Sequence, residues 1–174
     1  LRWIGADPAP VEVALKLAVQ YFSQTGRPRK TRFATLDSAF HGETVGASSV
    51  GGVPLFRQSF RSMLFETSLL PSPAGEAGVE AAIAALRETF AREGDTLAGI
   101  VIEPLVQGAA GMQIYHPAYL RTVREVCDLH DVLFIDDEVF AGYGRTGTFW
   151  AVEQAEVSPD ILCTAKGFSG GVLP

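Results

Sequence analysis

The stretch Leu133-Phe-Ile-Asp-Asp-Glu-Val139, followed by Phe140-Ala-Gly-Tyr-Gly-Arg-Thr-Gly147 and then Asp160-Ile-Leu-Cys-Thr-Ala-Lys-Gly167, decides how the chain is read. Val132 to Ile135 is apolar and β-prone, as an interior strand of a parallel sheet is, and Asp137 stands at its carboxyl end. Open α/β sheets bind ligands at that edge. Strand side chains alternate, so Ile135, Asp137 and Val139 share one face, while Asp136 and Glu138 take the other. A second apolar run, Ile161 to Ala165, reads as another interior strand and delivers Lys166 just before Gly167, Gly170 and Gly171. The spacing therefore predicts a buried acid and a buried amine side by side.

Lysine occurs only at positions 16, 30 and 166. Lys16 falls in a helix-like segment and Lys30 in a basic loop, both read as reachable by water. Only Lys166 follows an apolar strand, where desolvation would lower its pKa and favour attack on a carbonyl. An acid that keeps a pyridine nitrogen protonated and a lysine that forms an imine are the protein's share of pyridoxal phosphate (PLP) chemistry. Taken singly, a strand-end lysine reads as a solvated cap and a lone aspartate as a turn acid; the joint pattern carries the reading.

That joint pattern resembles the class III (ω) aminotransferases, on Asp137-Glu-Val139, Gly142-Tyr-Gly-Arg-Thr-Gly147, Pro159-Asp-Ile161 and Lys166. Within the family it is most similar to the biotin-pathway branch. That likeness rests on His41-Gly-Glu-Thr44 with Gly46-Ala47, Glu103-Pro-Leu-Val-Gln-Gly108, Gly111-Met112, Tyr115-His-Pro117 and Ile161 to Lys166. The resemblance implies a three-layer α/β domain with a mostly parallel sheet, the large domain of fold type I PLP enzymes. Residues 1–174 would form part of it, without the amino-terminal segment and the carboxyl-terminal small domain. It implies PLP as cofactor, S-adenosylmethionine as amino donor and 8-amino-7-oxononanoate as acceptor, with another class III enzyme acting on an ω-amino acid or amine, or an inactive fragment, as alternatives. It also implies a homodimer when full length, and small-molecule substrates.

The resemblance assigns roles residue by residue. Lys166 is the catalytic amine, Asp137 the acid at the ring nitrogen, and Val139 with Phe40 the pair that sandwiches the ring. His41 supports the site rather than acting as its main base, Gly42 allows close approach, and Glu103 is an acid beside the pocket. Phe40 stands where the biotin-pathway branch carries Tyr, so it keeps the stacking surface and lacks a hydroxyl for substrate. Ala6-Asp7-Pro8 replaces the Ser-Gly-Ser loop that holds the cofactor phosphate at a helix amino terminus, which sets a carboxylate where a dianion would sit.

Composition narrows the alternatives. With 47% hydrophobic and 20% charged residues the chain is of ordinary globular type, long enough for a single core. Its net charge of −6 argues against a nucleic-acid surface, which needs clustered Lys and Arg. The basic run Arg27 to Arg32 is short and contains Pro28, as a solvated loop does. Cys127 and Cys163 have neither disulfide nor zinc spacing, so no metal is expected and a reducing cytoplasm is the default. No run of about 18 apolar residues suggests a membrane span.

Two other chemistries meet obstacles. Gly142-x-Gly-x-x-Gly147 matches a dinucleotide fingerprint, but Gly142 lies well past the end of the strand and Thr148-Phe-Trp150 follows it instead of a helix. A nucleotide hydrolase would need Gly-x-x-x-x-Gly-Lys-(Ser/Thr), which is absent.

The remaining elements follow from periodicity. Val11 to Gln24 is an amphipathic helix with Pro10 in its first turn and Gly26 at its end. Thr31 to Leu36 is a strand, Glu76 to Arg92 a helix, Leu97 to Ile102 an interior strand and Pro117 to His130 a second amphipathic helix. Val53 to Pro73, broken by Pro54 and Pro71, reads as an irregular connection over the sheet edge.

Overall fold

The computed structural model describes residues 3–5, 9–170 and 172. In chain order its elements are β1 (Trp3–Gly5), α1 (Ala9–Gln24), β2 (Arg32–Leu36), α2 (Val45–Ser49), α3 (Pro54–Arg57) and β3 (Ser68–Leu70). There follow α4 (Gly78–Glu93), β4 (Leu97–Ile102), β5 (Val106–Gln107), β6 (Gln113–Ile114), α5 (Ala118–His130), β7 (Leu133–Asp137) and β8 (Ile161–Thr164). Short 3₁₀ turns cover Gln58–Met63, Ala151–Ala155 and Lys166–Ser169.

Six strands form one sheet in the order β1-β8-β7-β4-β2-β3, and every pairing in it is parallel. A parallel sheet must be covered on both faces, and the alternation of β2, β4 and β7 supplies two separate cores. Phe33, Val101 and Ile135 pack with Val11, Ala14, Leu15, Ala18 and Phe22 of α1. Ala34, Leu36, Ile100, Ile102 and Phe134 face the other way, against Leu86 and Phe90 of α4 and Leu120, Val123 and Val126 of α5. The result is the expected three-layer α/β architecture.

Register sets the functional edge. Ile102 pairs with Asp136, and Asp137 with Cys163, so β4, β7 and β8 end almost level. Glu103 and Lys166 follow two of those ends directly or nearly so.

Two expectations need correction. Residues 53–73 are not wholly irregular: they hold α3 and the edge strand β3, paired with β2. Ser68 and Leu70 are buried and Leu69 is half exposed, so this strand alternates over too few residues to give a pattern. β1 was likewise too short to be read. Lys30 is not a solvated loop residue: only 7% exposed, its ammonium donates to the carbonyls of Gly94 (2.6 Å), Leu97 (3.3 Å) and His130 (3.0 Å). It caps the carboxyl ends of α4 and α5, where helix carbonyls lack partners, and burial lowers its pKa.

Candidate active site

Asp137 ends β7 with its carboxylate buried at 4% exposure. Its Oδ2 lies 2.7 Å from His41 Nδ1, and His41 Nε2 lies 3.3 Å from Thr35 Oγ1 on β2. A carboxylate only accepts, so the imidazole carries its proton on Nδ1 and leaves Nε2 for the Thr35 hydroxyl. Asp137 Oδ1 accepts the Val139 amide at 3.1 Å. The acid is thereby fixed in direction from two sides. His41 reaches it because Gly42 turns the chain at φ 118°, a conformation open to glycine.

Glu103 continues β4 and is equally buried, at 4% exposure. Its Oε2 accepts the Phe40 amide and its Oε1 the Gly108 amide, both at 3.1 Å. Its backbone carbonyl takes the Tyr115 hydroxyl at 2.6 Å. Burial pushes the Glu103 carboxyl up to about 7, with His41 opposing the rise and Asp137 adding to it. The Phe40 ring meets Phe56 edge to face at 5.1 Å.

Lys166 lines the same cavity as Asp137, but the predicted burial is wrong: β8 is buried through Ala165, and Lys166 itself is exposed. The chain turns there, with Lys166 at φ 39°, into the 3₁₀ turn Lys166–Ser169. Tyr143 shapes that turn. Its hydroxyl accepts from Thr164 Oγ1 at 2.6 Å, and a Cβ on Gly167 would fall 2.5 Å from its ring, so only glycine fits.

A cavity of about 220 Å³ joins Phe40, His41, Gly42, Glu103, Asp137, Val139 and Lys166. Every candidate residue within the described part of the chain therefore lines one space. Ala6 and Asp7, the phosphate-loop positions, lie outside the described residues. Gly108, Ala109 and Phe140 also line the cavity and were not anticipated, although Gln107-Gly108 belongs to a motif already singled out. The Gly142-to-Gly147 stretch is a run of turns with no helix opening from it, unlike a dinucleotide loop.

Behind Asp137, on the opposite face, Asp136 and Glu138 are both fully buried. Neither Asp136 oxygen meets a donor, while Glu138 Oε1 accepts the Val152 amide at 3.0 Å. The neighbour of Asp136 is the Glu138 carboxyl, and two carboxyls can bond only through a shared proton. Burial, then the adjacent Glu138, holds Asp136 well above the usual carboxylate range, and burial pushes Glu138 up to about 7.

With this geometry in hand, comparison with known families is direct: the class III aminotransferase family matches residues 5–174. The chain belongs to that family. Among curated relatives, this class III chain is 42% identical over 175 residues to the adenosylmethionine-8-amino-7-oxononanoate aminotransferase of Geobacter sulfurreducens, covering 94% of the chain and 38% of that protein. It is 44% identical over 171 residues to the enzyme of the same name from Synechococcus elongatus, covering 94% and 40%. It thus spans about two fifths of the relatives it matches. A crystal structure of the like-named enzyme from Methanocaldococcus jannaschii superposes with a TM-score of 0.88 at 35% identity, over 96% of this chain and 38% of that one. A PLP-bound amine transaminase from an uncultivated Pseudomonas species gives 0.89 at 36%, over 96% and 40%.

Class III aminotransferases depend on PLP, and the cavity suits that group. It offers a buried, directed carboxylate for a ring nitrogen, an aromatic and a branched apolar wall for a ring, and a primary amine for an aldehyde. Among the described residues no cluster of His, Cys, Asp and Glu is arranged for a metal, and no helix is long and apolar enough to cross a membrane.

Proposed function

We propose that this chain is part of the large domain of a PLP-dependent aminotransferase that moves an amino group from S-adenosylmethionine to 8-amino-7-oxononanoate. The observation that carries the chemistry is the single cavity in which Asp137, braced by His41, and Lys166 meet. The names of the relatives, at 42% and 44% identity, support the substrate pair.

PLP supplies the electron sink when bound. Asp137 would hold a proton at the ring nitrogen, and the His41 contact keeps the carboxylate aimed. Phe40 and Val139 would confine the ring from its two faces. Lys166 Nζ would hold the cofactor covalently and, once released, take the proton from the amino donor's carbon and supply one to the acceptor's carbonyl carbon. Exposure of Lys166 leaves it room for both tasks, and the Tyr143–Thr164 bond steadies the turn it rides on.

A second reading, an amine or ω-amino acid transaminase, is favoured by the 36% identity to the Pseudomonas amine transaminase and by Phe40, which brings no hydroxyl to a substrate. The full-length enzyme is proposed as a cytoplasmic homodimer. Exposed Leu55, Phe60 and Met63 form an apolar surface that a partner would cover, and the two buried cysteines are free thiols. The isolated 174 residues are proposed to be inactive, because substrate recognition would draw on sequence beyond them.

Borohydride trapping of PLP in the full-length protein, followed by peptide mass spectrometry, should place the label on Lys166, and Lys166→Ala should abolish it. Label at another lysine would remove Lys166 from its role. Turnover with S-adenosylmethionine and 8-amino-7-oxononanoate supports the proposed pair; turnover only with a simple ω-amine selects the second reading.

A further inference from the structure

We propose that Glu103 is a positioning residue whose ionised carboxylate holds the two walls of the cavity together, one backbone amide on each oxygen, and that gaining a proton releases one wall. The Phe40 wall comes from the loop after β2, distant in sequence, and the Gly108 wall from the turn after β5. This side chain joins them directly, through Oε2 and Oε1 at 3.1 Å each, beside a second tie in which Gln107 Nε2 donates to the Asp37 carbonyl at 2.8 Å.

The backbone that carries this side chain is fixed in place. Pro104 follows it, the Tyr115 hydroxyl binds its carbonyl at 2.6 Å, and it is 4% exposed. A carboxylate accepts through both oxygens, whereas a carboxylic acid carries a hydrogen on one of them. An amide facing that hydroxyl meets a poorer acceptor than a carboxylate oxygen. Protonation therefore splits the clamp unevenly, leaving one wall tied and the other loose.

The groups facing Glu103 tune when this happens. His41 and Asp137 stand across the same cavity, Tyr115 lies behind it, and Lys166 is at the rim. Burial raises its proton affinity, His41 lowers it and Asp137 raises it, to a midpoint of about 7. The clamp is closed above that midpoint and half open below it.

The inference rests on the cofactor reading only for what the walls enclose, so its test uses no ligand. In a ¹⁵N-labelled sample of the chain titrated from about pH 5.5 to about 8.5, the Phe40 and Gly108 amide resonances should move together with one midpoint near 7. The hydrogen exchange of one of them, corrected for its intrinsic pH dependence, should slow roughly tenfold across that step. In Glu103→Gln, which keeps one acceptor and turns a donor toward the other amide, the coupled step should vanish. Two separate midpoints, no step, or a step that survives Glu103→Gln would overturn the proposal. Should Glu103→Gln not fold, the ¹³C carboxyl shift of Glu103 in the unaltered chain decides, since it must share the amide midpoint. Adding PLP alone to the same sample tests the cofactor reading apart: a co-titrating pair with no PLP response would sustain the clamp and count against that reading.

Discussion

The two faces at the end of β7 carry acids that are equally buried and differently supplied. On the α1 side, Asp137 has a partner for each oxygen, His41 at 2.7 Å and the Val139 amide at 3.1 Å. On the α5 side, neither Asp136 oxygen has a donor, and burial with the adjacent Glu138 carboxyl holds its proton affinity well above the usual carboxylate range. One strand thus presents a braced anion to the cavity and a proton-holding pair to the core. Burial alone does not decide the charge of a carboxyl; the donors that arrive with neighbouring elements do.

The sharpest way to break this contrast is to remove each charge in turn from the full-length enzyme. Asp137→Asn should lower turnover by about a hundredfold, the scale of losing one directed electrostatic contact, with cofactor still bound. Asp136→Asn should leave turnover within a few-fold. Equal losses would mean that the two faces act as one unit.

Next in size is the dependence of stability on pH. Glu138 has its affinity for protons raised in the folded state, from 4.5 to about 7, so folding is favoured fully below pH 4.5 and that contribution is lost as pH rises toward 7. The loss from Glu138 should be on the order of 3 kcal/mol, read as a falling urea midpoint between those values. A midpoint that rises throughout that range would show that the pair holds no proton.

The smallest effect sharpens the contrast further. At about pH 8, Asp136→Asn should stabilise the fold by roughly 1 kcal/mol, because the new amide can donate to the unpartnered Glu138 Oε2. Loss of stability there would show that Asp136 has a donor after all.

Much of this was legible in the residues. Leu97 to Ile102 and the runs ending at Asp137 and Lys166 are apolar because interior parallel strands are covered on both sides, and their order placed His41, Glu103, Asp137 and Lys166 at one edge. What stayed hidden depended on partners that no local pattern announces. β3 pairs on one side only and is too short to alternate visibly. Lys30 sits in a basic run and is buried because two helix ends, remote in sequence, converge on it. Lys166 was expected to be buried because the strand before it is, yet the chain turns at φ 39° and carries it outward. Asp136 looked like one more acid beside Asp137; the face it takes was legible, but not that this face offers no donor.

The Lys30 contact also bears on how the protein is made. Its ammonium joins carbonyls 64, 67 and 100 residues further along the chain. At about 5–20 residues per second, a ribosome takes roughly 5 to 20 s to reach the last of them after Lys30. The full set of Lys30 contacts is complete only when His130 has emerged, so the ends of α4 and α5 are tied together late in synthesis.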